Sequence, residues 1–279
     1  MSDLKIRKIP FRFDDVEFIW NPENRAFSVY MNKISFLAVC FEKYICQAMQ
    51  DAEKVLTDPE AIEEARDFRA QEGLHSLVHR SHVKALVKRY PGLQRAVDVG
   101  IELYDQLYAE RDLQYHLAYV GGLESTFTPI FKLFFENLEP LYAKGDAQVV
   151  SMFLWHFSEE IEHRNSGMKV YKALPGPYFY RVRRFAEFLR HSLLVVNAIT
   201  AEFHKVFPEL TRDELTKISS TPLPLLGTLR AVWGALRSQM PWHDHRREPL
   251  PAYYFEWMDR YDRGDDMTLV YGVDKAAMA

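Results

Sequence analysis

Apolar residues recur at helical spacing from about Ser28 onward, and turn signals divide that pattern into long segments. The first 27 residues break the period. They are rich in proline, aspartate and aromatic side chains, and read as an irregular arm with room for a short strand. The period predicts a first helix over 28–56. Thr57-Asp58-Pro59-Glu60 then supplies a capping side chain, a proline at the first helical position and an acid, so a second helix runs to about Arg89. Tyr90-Pro91-Gly92 ends it. A connecting helix, about 93–108, leads to a third long helix over about 110–143, stopped at Lys144-Gly145-Asp146. The fourth reaches about Leu174, ahead of Pro175-Gly176-Pro177, and a fifth spans 178–207. Pro222, Pro224, Pro241, Pro249 and Pro251 leave room only for shorter helices wrapped around the rest. Strand signals are scarce, so the expected fold class is all-α. The expected organisation is a 1–27 arm, a helical bundle over 28–207, and a helical extension, 208–279, packed on it.

The polar residues that interrupt the apolar stripes carry the chemistry. Glu42 stands among Ala38, Val39, Ile45, Cys46 and Met49, which share its helix face. Glu72 shares a face with Phe68, His75 and His79, and Glu124 with Val120, Gly121, Phe127 and Phe131. Glu160 has His156 one turn before it and His163 about one turn after. Each of four long helices therefore sets one acid in its buried stripe, where a carboxylate is costly unless paired or bound to a metal. Two of the four add a histidine three residues on: Glu72-Gly-Leu-His75 and Glu160-Ile-Glu-His163. Composition alone supplies about one such pair, so the motif is weak by itself. Depth is what makes it informative. Thr57, at a turn, lies midway between Glu42 and Glu72, and the midpoint of Glu124 and Glu160 lies close to Gly145. In two antiparallel hairpins these acids sit roughly 22 Å from their turns, at matching height.

Four carboxylates and several imidazoles converging in a helical bundle make the ligand set of a dinuclear metal site. The candidate ligands are Glu42, Glu72, His75, Glu124, Glu160 and His163, with His156 as a seventh. Mixed oxygen and nitrogen donors suit iron or manganese; a tetrahedral zinc site would want more Cys or His. His79 is read as a neighbour of the ligands rather than one of them. Glu159 and Glu162 rotate away from Glu160 and are expected to be solvated or paired with Arg or Lys. His82, His116, His191 and His204 have no partner spacing. Trp242-His243-Asp244-His245 suggests metal by composition, but its proline-flanked, arginine-rich setting reads as a surface loop. Phe68, Phe127, Phe131, Phe153 and Tyr171 are core residues first and a pocket wall second.

The order of these motifs resembles the ferritin-like di-iron carboxylate proteins. More narrowly, RAQEGLHSLVHR (69–80) and HFSEEIEHRNSGMKVY (156–171) resemble, over roughly residues 25–240, a bacterial family described as predicted metal-dependent hydrolases. His156-x3-Glu160-x2-His163 is similar to the spacing in di-iron arylamine N-oxygenases, where a histidine four residues before the last motif's Glu is an additional iron ligand. The first resemblance implies a ferritin-like four-helix bundle with additional C-terminal helices. The leading expectation is a non-haem di-iron oxidase or oxygenase that holds two iron ions and uses O2 on an apolar or aromatic small molecule. Such chemistry calls for an electron-donor protein as partner. The alternative is a dinuclear hydrolase with the same ligands, and a non-enzymatic metal-binding bundle ranks third.

Composition narrows this only a little. The 279 residues are 48% apolar and 27% charged, ordinary for a globular chain. The net charge of −4 supplies no basic field for nucleic acid. The two cysteines, Cys40 and Cys46, form neither a CxxC pair nor a disulfide framework, and the opening residues have no apolar signal core, so a cytoplasmic setting is expected. No uncharged run reaches the length of a membrane span; Ser192–Ala201 comes nearest. A bundle of this size is compatible with a homodimer, although no face is singled out.

Overall fold

Asn24 starts the first helix by accepting a hydrogen bond from Phe27 N, so α1 runs Arg25–Val55, three residues earlier than the period predicts. Asp58 accepts from Glu60 N and Pro59 occupies the first turn, which launches α2 over Pro59–Arg89. The short turn between them makes the two helices an antiparallel pair. The computed structural model, which describes residues 4–274, continues through α3 (Gln94–Glu110), α4 (Leu113–Phe135), α5 (Leu138–Tyr142) and α6 (Ala147–His163). It closes with α7 (Ser166–Ala173), α8 (Tyr180–Val206), α9 (Arg212–Thr216), α10 (Leu225–Ser238) and α11 (Ala252–Arg263). The fold is an all-α bundle. Helices α1, α2, α4 and the α6–α7 pair enclose the core; α3 and α8 pack against α1, α10 covers α4, and α11 lies on α6.

Two of the long helices expected from the pattern are each broken once. The third ends at Phe135, because Asn137 leaves helical geometry and turns its side-chain amide back onto Leu133 O at 2.8 Å. The fourth ends at His163 rather than Leu174. After the break at Arg164 and Asn165, Ser166 Oγ and Lys169 Nζ reach Glu64 on α2, at 2.5 and 3.0 Å. The break also lets α7 cross α4 backbone to backbone. A Cβ on Gly121 would lie 3.1 Å from Gly167 O, and one on Gly167 would lie 3.2 Å from Gly121 Cα. Any side chain on either glycine would crowd this crossing, so it favours glycine on both sides, within one turn of Glu124.

The N-terminal arm forms no strand among the described residues. It buries Ile9, Phe13, Val16, Phe18 and Trp20 against the bundle instead. Phe18 stacks on Phe207 with ring centroids 4.1 Å apart, and its carbonyl accepts from Asn32 Nδ2 at 2.7 Å. Arg7 is carried inward with the arm. Among the described residues no helix is long and apolar enough to cross a membrane, and both cysteines are free thiols.

Candidate metal centre

Glu42 from α1, Glu72 and His75 from α2, Glu124 from α4, and His156, Glu160 and His163 from α6 are all buried. The structure brings six of them into two groups of candidate ligand atoms; Glu124 is buried but belongs to neither group. Ligand atoms of Glu42, His75, His156 and Glu160 lie within 4.8 Å of one another, and so do those of Glu72, His75, Glu160 and His163. The two groups share His75 and Glu160; the Glu160 carboxylate has two oxygens with which to serve two neighbouring cations, whereas His75, its Nε2 held by Glu159, has one nitrogen left for a single ion. His156 Nε2 is 2.9 Å from Glu160 Oε1 and 3.2 Å from Glu42 Oε1. His163 Nδ1 is 2.8 Å from Glu72 Oε1 and 3.8 Å from Glu160 Oε2; His75 Nδ1 is 3.5 Å from Glu160 Oε1.

These contacts leave lone pairs facing one another. Both oxygens of Glu72 and of Glu124, one oxygen each of Glu42 and Glu160, and Nδ1 of His75 and of His163 are buried without a hydrogen-bond partner. At 2.8 Å, His163 Nδ1 and Glu72 Oε1 are close but not hydrogen-bonded. Buried polar atoms are normally satisfied. A set this dense fits cations bound among them.

The two motif histidines are oriented by each other's helix. His75 Nε2 on α2 lies 2.9 Å from Glu159 Oε2 on α6, and His163 Nε2 on α6 lies 2.8 Å from Gln71 Oε1 on α2. An outer partner that holds one ring nitrogen and fixes the other for a metal is the usual support of a ligating histidine. The same holds for His156, whose Nδ1 is 2.8 Å from His79 Nε2; His79 Nδ1 and His82 Nδ1 in turn both meet Ser35 Oγ at 2.8 Å. His79 thus stands behind His156.

Charge follows the same pattern. Burial pushes the Glu42 carboxyl up to about 7, against hydrogen bonding to His156. Burial, and then the charges of Glu160 and Glu72, hold the Glu124 carboxyl well above the usual range. Burial acts on Glu160 too, but hydrogen bonds to His156 and His75 outweigh it and hold that carboxyl well below the ordinary value. Four acids in one dry site are in electrostatic conflict that divalent cations would relieve. The walls are aromatic: Trp155 meets His75 edge-on at 5.0 Å, and Phe68 meets His163 at 4.8 Å.

A family model for predicted metal-dependent hydrolases matches residues 5–255. The chain belongs to this family. No curated protein and no solved structure matches it. Helical spacing did not reveal the residues that stand behind the candidate ligands. Glu159 pairs with an arginine as expected, Arg7 Nη1 at 3.1 Å, but it is fully buried rather than solvated and also bonds His75, which its spacing does not suggest. Glu162 does pair as expected, with Arg7 Nη2 at 2.8 Å, and accepts from Tyr254 Oη of α11 at 2.8 Å. A signal was available: in QEGLH and EEIEH alike, a polar residue stands directly before the motif Glu. Arg7 had none, since it lies far away in an irregular arm. His116 and His191 are bonded to Tyr44 and Tyr119 and stand outside the centre. The loop at Trp242 is at the surface only in part: Trp242 is exposed, but His245 is buried.

Proposed function

We propose that the chain is a dinuclear metal enzyme and that its reaction is hydrolysis of a small molecule. The observation that carries the dinuclear reading is the pair of four-residue groups that meet at the Glu160 carboxylate, which has two oxygens to offer two ions, and leave buried polar atoms unmatched. The hydrolytic reading rests on the family description. Glu42, Glu72, Glu124 and Glu160 would balance the charge of two divalent ions, and His75, His156 and His163 would complete their shells. Bound ions would supply a water of lowered pKa and polarise a carbonyl or phosphoryl oxygen of the substrate. The chain's own part is support. Glu159, Gln71 and His79 fix the ring orientations, Trp155 and Phe68 keep the ligands dry, and Arg7 compensates the charge of Glu159 and Glu162.

A second reading is the oxidase or oxygenase, with two iron ions, O2, an apolar or aromatic substrate and an electron-donor protein. It is favoured by four carboxylates with three imidazoles in an aromatic-walled core, a donor set suited to redox-active iron or manganese. One experiment separates the two. The protein is loaded in turn with zinc, manganese and ferrous iron, then assayed for ester and phosphate-ester hydrolysis and for O2 uptake. Hydrolysis with zinc or manganese and no O2 uptake supports the first reading. O2 uptake confined to the iron form, without hydrolysis, replaces it with the second.

A further inference from the structure

The loop that joins α10 to α11 sorts its side chains into two sets. His243 N bonds Met240 O at 2.9 Å, Arg247 N bonds Asp244 O at 3.1 Å, and Glu248 N bonds His245 O at 3.3 Å. These tight turns send Asp244, Arg246 and Arg247 together as an ion-paired outer group. They send His243, His245 and Glu248 the other way, to a common point. Ligand atoms of those three lie within 4.8 Å of one another, and the two imidazole centroids are 4.6 Å apart. His243 Nε2 meets Glu248 Oε1 at 2.8 Å. His245 is 1% exposed, and neither of its ring nitrogens has a partner. A buried imidazole with both nitrogens unsatisfied is rare and calls for an explanation.

We propose that His243, His245 and Glu248 form a mononuclear seat for a zinc-class divalent cation, distinct from the dinuclear centre. Two imidazoles and one carboxylate make a three-ligand zinc site that keeps one position of its tetrahedron for solvent or a ligand's oxygen. Edges of such a tetrahedron are about 3.3 Å, so small side-chain adjustments close the observed spacing. Pro241 and Pro249 restrict the backbone on either side. Arg181 is engaged with Gln239, its Nη2 bonding Gln239 O at 2.9 Å, which anchors the start of the loop. An ion at this point would tie the two ends of the loop together and hold α11 against α6, where Tyr254 and Arg7 meet Glu162 behind the dinuclear centre.

The test is metal stoichiometry in a background that separates the two sites. Glu160→Gln protein, with and without His243→Gln, is equilibrated with excess zinc, desalted and analysed for zinc per chain, and cobalt is then used as a coloured substitute. The expected result is one zinc fewer per chain when His243→Gln is present, together with loss of the visible absorption of four-coordinate cobalt. Zinc should also raise the unfolding temperature of the single variant by more than that of the double variant. The comparison is a difference of one equivalent, so it reads the loop whether or not Glu160→Gln empties the dinuclear centre. His243 is only partly buried, so the fold tolerates its replacement better than that of His245. Equal zinc content and equal cobalt spectra in the two proteins would overturn the proposal.

Discussion

Glu159 Oε2 lies 2.9 Å from His75 Nε2, a buried hydrogen bond that crosses from α6 to α2 and leaves His75 Nδ1 facing Glu160. Metal affinity should therefore depend on a residue that does not touch the metal. Glu159→Leu removes the acceptor that fixes the ring, and losses of about 10- to 100-fold are usual for such outer partners. Competition with a chromophoric chelator measures the constant. An unchanged affinity would show that Glu159 does not position His75.

Arg7 tests the arm in the same way. Its guanidinium is buried and bridges Glu159 and Glu162, so Arg7→Met strands a carboxylate in the core. Breaking one side of a buried ion pair costs about 3–5 kcal/mol, and denaturant unfolding should show a loss of that order. Adding Glu159→Gln should recover part of it, because the stranded charge is then gone. Non-recovery would place the role of Arg7 elsewhere.

His82 sets an acid limb on stability. Burial pushes its imidazole down from the ordinary 6.5 to about 3, in a pocket made with Phe13 and Phe153. The unfolded chain takes up the proton first as pH falls, so the contribution is whole above 6.5 and is lost progressively on the way to 3. From this group alone the protein should be about 2 kcal/mol less stable at pH 5 than at pH 7. His82→Gln can keep a hydrogen bond to Ser35 but cannot titrate, so its stability should fall less over that range. Parallel pH curves for the two proteins would contradict the assignment.

Metal itself should stabilise the bundle. Bound ions would satisfy the unmatched atoms of Glu72, Glu124, His75 and His163, so chelation at neutral pH should lower the unfolding temperature and re-addition should restore it. Differential scanning calorimetry checks this, and an unfolding temperature indifferent to chelator would count against it.

The sequence made the helices and their acids legible for a physical reason. Helical period is local, and the midpoint positions of Thr57 and Gly145 turn sequence distance into depth once hairpins are assumed. What it could not show depends on long-range contact. The break after His163 exists because Ser166 and Lys169 meet Glu64, and because Gly167 must cross Gly121. The burial of Glu159 depends on Arg7, which is 152 residues away along the chain. His245 reads as a surface residue from its arginine-rich neighbours, and only the tight turns of the loop reveal that it points inward.

In the reading proposed above, Glu42, Glu72, His75, Glu124, His156, Glu160 and His163 hold two divalent ions, with Glu160 common to both positions. The most direct measurement is metal per chain by mass spectrometry for the wild type and for Glu160→Gln, prepared side by side with the same metal supplement. The account predicts that the variant folds and carries about two ions fewer, since losing a shared carboxylate weakens both seats. A folded Glu160→Gln protein with the metal content of the wild type would contradict it.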